Sequence, residues 1–245
     1  MNRIVKKILL VSAACICCGA VVVGGAWCSA QSNSSPCTEV RIVVEDSLER
    51  QFVDINELEN YLKHHRIYPQ GQTIEQVQCH AIELCLQGHD MVRKAECYTS
   101  PFGCVHIQVT QRVPVLSVVS DNGCYYVDSD HRIMPVRKQM DVDVPVFKGA
   151  ISQRAATEEY FEFAEWLRSN RYWGERICGI SVSNPKHVVL IQAGEAAKIL
   201  LGELNGYHEK LNKLQRLYTK GFDKLGYPDV REYDLRFDGQ VVSRK

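Results

Sequence analysis

The chain has 245 residues, with 29 basic and 29 acidic side chains and a formal net charge of zero. This balance gives no electrostatic argument for nucleic acid or for acidic substrates. Roughly 215 residues follow the most apolar stretch, enough for two small domains of about 80–130 residues each.

That stretch, Ile8–Ala30, carries no charged residue. As a helix it reaches ~35 Å against a hydrocarbon core of ~30 Å, so it is expected to span a bilayer. Arg3, Lys6 and Lys7 precede it, and no charge follows until Glu39. The positive-inside bias keeps the N-terminus in the cytosol and exports the rest. A cleaved signal peptide ending at Cys28-Ser29-Ala30 is the rival reading, but signal cores are typically ~7–15 residues, and this one is longer. Of the eleven cysteines, Cys15, Cys17 and Cys18 lie well inside the span, Cys28 and Cys37 flank its outer end, and six (Cys79, Cys85, Cys97, Cys104, Cys124, Cys178) are spread through the exported part. Export permits disulfides.

Thr38–Val44 alternates as a strand with Val40, Ile42 and Val44 on one face. Asp54 and Glu57 form a near capping box for a helix that Pro69-Gln70-Gly71 ends. Thr73 and Gln76 are expected to cap a second helix, with Ile74, Val77, Ala81, Leu84 and Cys85 at helical spacing down to Gly88. Met91–Tyr98 and Cys104–Gln111 read as a hairpin. Cys97 and Cys104 flank its loop and form a candidate disulfide if they face each other; a one-residue slip would separate them. Strand, helix, helix, strand, strand is the order of the POTRA module.

Beyond Pro114, short strands are expected at Val115–Val119, Gly123–Val127 and around Ile133. A helix follows over Ala155–Tyr172, then paired strands at Ile177–Val182 and His187–Gln192, a further strand at Ala196–Leu201 and a helix over His208–Leu225. The tail Val230–Val242 alternates, with Tyr233, Leu235 and Phe237 on one side. Asp238-Gly239 admits a tight turn or a bulge. One continuous bulged strand is expected, because few residues remain for a return strand.

In this order, several segments resemble the FtsQ/DivIB family of bacterial division proteins. They are Gln111-Arg112-Val113-Pro114, Tyr125-Tyr126-Val127-Asp128, Ile133-Met134-Pro135, Val144–Gly149 and the closing Tyr233–Phe237 with Gln240-Val241-Val242. His131 stands where the family usually has Gly. The resemblance implies an α+β architecture: cytoplasmic N-terminus (1–7), transmembrane anchor (8–30), POTRA domain (37–112), and a mixed β domain with two flanking helices (113–245). It also implies a non-enzymatic, single-pass inner-membrane scaffold of the divisome, without cofactor, nucleic acid or small-molecule substrate. Its expected partners are FtsB/FtsL-like bitopic proteins, which couple it to septal peptidoglycan synthesis. In the family the last strand accepts an incoming strand, which points here to Arg236, Phe237, Asp238, Gly239, Gln240, Val241 and Val242.

Enzyme motifs are weak. Ser120-Asp121-Asn122 precedes Ser183–Lys186, the reverse of the order in penicillin-binding enzymes, and no K-T-G occurs. Cys85 and His89 share a helix face, but Cys79 lies ~120° away, so no zinc set forms. Two other classes stay open: a secreted cell-wall enzyme with the N-terminal stretch removed as a signal, and a POTRA-containing transport component, for which too few strands follow to build a barrel.

Overall fold

The computed structural model describes residues 35–45, 52–100, 102–121, 123–137, 142–194, 197–221, 230–237 and 239–245. The expected span Ile8–Ala30 lies outside them, and among them no helix is long and apolar enough to cross a membrane. The described residues fall into two compact units, the first ending at Gln111 and the second beginning at Arg112.

In the first unit, β1 (Glu39–Glu45), β2 (Val92–Ser100) and β3 (Cys104–Gln111) form a sheet of order β1-β3-β2. β1 runs parallel to β3, and β2 pairs antiparallel with it. Val105, Ile107 and Val109 alternate into the core as their spacing predicts, as do Ile42 and Val44. Helix α1 (Ile55–His64) starts where Asp54 Oδ1 accepts the Asn56 N–H at 3.0 Å. Glu57 is turned elsewhere, to His89 Nε2 at 3.1 Å. The expected cap at Thr73 is absent: Ile74–Gln76 form a single 3₁₀ turn, and Val77 is extended. Helix α2 (Cys79–Gln87) therefore starts afresh, and the helical phase carried from Ile74 is lost. It buries Ile82 and Leu86 and leaves Leu84 in solvent.

The expected Cys97–Cys104 bridge is a correction. Cys97 lies opposite Ile107 and Cys104 opposite Ser100, so the two thiols point to opposite faces of the hairpin. The strands run to within a few residues of the loop apex, and that shifts the register.

The second unit carries nine strands among the described residues, in the order β12-β11-β10-β9-β8-β7-β4-β5-β6. They are β4 (Pro114–Ser120), β5 (Gly123–Asp128), β6 (Ile133–Pro135), β7 (Val146–Gly149), β8 (Ile177–Asn184), β9 (His187–Gln192), β10 (Lys198–Gly202), β11 (Glu232–Asp234) and β12 (Val242–Arg244). β7 lies between β4 and β8, parallel to both. The expected helix over Ala155–Tyr172 is three pieces: α3 (Gln153–Thr157), α4 (Glu159–Ser169) and α5 (Arg171–Gly174). Glu158 leaves helical geometry, and Asn170 is extended, its side chain capping the Tyr172 and Trp173 amides. α6 (Tyr207–Arg216) runs into a π-type turn over Leu217–Gly221. Phe147, Tyr160, Phe163, Leu167, Trp173, Leu211 and Leu214 fill one core between these helices and the sheet.

Two local features hold the inner half of this sheet. At Gly149, φ is +123° and any Cβ would sit 2.1 Å from the Val182 carbonyl oxygen, so only glycine lets β7 close on β8. Near the start of the unit, the buried Arg112 guanidinium donates to the buried Asp128 carboxylate at 2.5 Å. The other Asp128 oxygen accepts the Asp130 and Arg132 amides at 2.9 and 2.8 Å, closing the turn after β5. His131 occupies that turn with φ +60°, Nδ1 2.6 Å from the Thr157 carbonyl oxygen and its ring on Phe161. The turn thus keeps its left-handed residue without glycine, because contacts of the imidazole offset the backbone strain. Removing one partner of a buried ion pair leaves an unpaired buried charge and costs about 3–5 kcal/mol. Asp128→Ala should lower stability by that amount, read from the urea midpoint, and Asp128→Asn should lower it less.

Candidate partner-binding edge

The tail is where the structure departs most from the alternation of its sequence. Glu232–Asp234 lies parallel to β10, with Ile199 opposite Tyr233, and Leu235 extends the ladder by donating its amide to the Leu200 carbonyl at 2.9 Å. Tyr233 and Leu235 are buried. The chain then leaves the sheet. The Gln240 amide reaches the Phe237 carbonyl at 3.4 Å, and Gly239 is left-handed at φ +76°. Val242–Arg244 returns antiparallel on the far side of β11, with Glu232 opposite Arg244 and Asp234 opposite Val242. The expected single bulged strand is therefore a hairpin with a wide loop, and its short return strand, β12, forms the margin of the sheet.

The reason is electrostatic. Asp234 is fully buried, and a buried carboxylate requires partners. Arg236 supplies two, Nε at 2.9 Å and Nη2 at 2.6 Å, and its backbone amide adds a third at 3.1 Å. Arg244 on β12 approaches the same carboxylate at 3.5 Å and holds Glu232 at 3.1 Å. Hydrogen bonds from Arg236 hold the Asp234 carboxyl below its usual range against the opposing effect of burial, with the Arg244 charge assisting. Gly202, at φ +76°, makes room for this: a Cβ there would meet Arg236 Cγ at 2.8 Å.

The expected site residues thus separate. Arg236 is an internal clamp more than an outward anchor. Val241 packs against the core. Asp238 lies outside the described residues. Gly239 and Gln240 are exposed in the loop, and Val242 begins the margin. Phe237 is 51% exposed and, with Arg236, Lys186, Asn205 and Lys210, lines an open cleft of about 480 Å³. Asp234 and Arg244 were missed by the sequence reading. A carboxylate flanked by the apolar Tyr233 and Leu235, two residues from an arginine, was the available signal.

The opposite margin, β6, ends in Pro135, which cannot donate to an added strand. β12 has no proline, and no other described strand pairs with its outer side. The motifs with enzymatic overtones sit in turns. Ser120 Oγ bonds the Gly123 carbonyl, and Asn184 Oδ1 accepts the Lys186 amide between β8 and β9. His89 is committed at both ring nitrogens, to Glu57 and to the Met91 amide.

A family model described as FtsQ/DivIB, C-terminal related, matches residues 113–244, more than half of the chain. The chain belongs to the FtsQ/DivIB family. A POTRA-like domain model matches residues 35–110, the first unit. A comparison with curated proteins finds no match. FtsQ/DivIB proteins are non-enzymatic cell-division proteins that act through protein–protein contacts in the division complex. Two of the family-like segments meet in the Arg112–Asp128 pair, and a third, Tyr233–Phe237, contains the Asp234–Arg236 clamp.

The clamp has a defined pH dependence. A carboxyl held below its unfolded value of about 3.9 stabilises fully above that value, and the contribution is lost as pH falls through the lower folded one. Amide protection at Val242–Arg244, corrected for intrinsic exchange, should fall as acid is added below about pH 4. In Asp234→Asn it should already be low at neutral pH, with little further acid loss. Hydrogen bonds to a charged group are worth about 1.5–3 kcal/mol, which sets the expected local loss.

Proposed function

We propose that this chain is a bitopic scaffold of the bacterial division complex. Its N-terminal span holds it in the inner membrane with the two described units on the outer side. The β12 margin receives a strand from FtsB/FtsL-like bitopic partners and so links them to septal peptidoglycan synthesis. The observation that carries this reading is the asymmetry of the sheet margins: proline at β6, none at β12.

Magnitude limits what that margin does. Three residues offer about three backbone hydrogen bonds at a net ~1 kcal/mol each, against ~4–15 kcal/mol for association. Strand addition alone holds no partner. The exposed Phe237 ring, in the loop that leads to the margin, supplies apolar anchoring, and tethering of both proteins in one membrane raises the effective concentration. Anchor, ring and margin belong to one mechanism.

Phe237→Ala removes the ring without touching the buried clamp. Co-purification of the membrane-embedded variant with its bitopic partners should fall by about tenfold or more, with the thermal midpoint unchanged. Wild-type recovery would count against the site. Depletion in the native cell should produce filaments or chains that fail to septate, with unchanged septation counting against the scaffold itself.

A further inference from the structure

Cys79 opens α2, and Cys97 lies on β2, on the inward face it shares with Ala95. One helical turn beyond Cys79, Glu83 Oε1 accepts the Cys97 backbone amide at 2.8 Å, which pins this turn of the helix over this position of the strand. The Cys79 thiol lies beside that of Cys97, near enough to shift it. Among the described residues no group of three or more ligating side chains is placed to hold a metal ion. The other thiols nearby are less well placed. Cys104 faces the opposite side of the hairpin, and Cys37 is buried beside it.

We propose that Cys79 and Cys97 close a disulfide that staples α2 to β2. The staple rests on the export proposed above, because an oxidising compartment supplies the co-reactant: a carrier protein disulfide of the thiol–disulfide exchange class. The Cys79 thiolate attacks the carrier disulfide, forming a mixed disulfide and releasing one carrier thiolate. The Cys97 sulfur, on losing its proton, attacks the Cys79 sulfur and expels the second. Two protein thiols give up two electrons and two protons, and the carrier leaves as a dithiol. Burial, the adjacent Cys79 thiol and the Glu83 carboxylate push the Cys97 thiol up. Cys97 reacts only once the mixed disulfide makes its step intramolecular.

The test has two arms. The purified full chain is equilibrated in a glutathione redox buffer, trapped with N-ethylmaleimide and digested without reduction. A linked peptide pair containing Cys79 and Cys97 is expected, and two alkylated thiols, or a link from either to Cys37 or Cys104, overturn the pairing. Cys79→Ser should leave Cys97 as one additional alkylated thiol and lower the thermal midpoint on the order of 10 °C; a variant with wild-type alkylation refutes the bond. In the second arm, native cells are acid-quenched and alkylated before lysis. The linked pair is expected there too. Free thiols in cells from a chain that forms the link in glutathione overturn the export and leave the pairing standing.

Discussion

A single buried carboxylate decides the shape of the chain's end. Asp234 has no solvent exposure, and a charge in that position is tolerated only when it is paired. Its partners come from both directions: Arg236 from the loop that leaves the sheet, and Arg244 from the strand that returns. Arg236 can reach back because Gly202 leaves room for its stem. The same interaction turns an alternating run into a hairpin and transfers the sheet margin from β11 to β12.

The opposite half of the second unit obeys the same logic. Arg112 and Asp128 are both buried, and Asp128 closes its turn with its second oxygen. This fastens β4 to β5 at the start of the unit, while Gly149 permits the close approach of β7 and β8 in the middle. A wide mixed sheet built from strands of three to eight residues needs such fasteners, because short strands contribute few ladder bonds each. The continuous apolar core under the helices supplies the rest of the cohesion.

For the proposed scaffold, a short margin suits an assembly that forms and dissolves. A long flat edge would recruit strands without discrimination. In that proposal, three residues preceded by a loop with an exposed aromatic recruit only a partner that is already close and that fits the ring. Proline at β6 leaves the opposite margin unattractive, which gives the sheet a direction.

Sequence alone determined the local elements. Alternation located the β2–β3 and β8–β9 hairpins, amphipathic spacing located α1 and α4, and Asp54 marked a helix start. Those signals depend on neighbours within a few residues, so they survive without the fold. Where helices broke, at Val77, Glu158 and Asn170, side-chain spacing continued through residues whose backbone did not, and the expected helices ran too long. Only the tertiary structure decided the register of Cys97 against Cys104, the docking of α2 on β2 through Glu83 and the Cys97 amide, and the return of β12 through Arg244. Each is a relation between segments. Its energy comes from burial and charge pairing, which exist only once distant parts of the chain have been brought together.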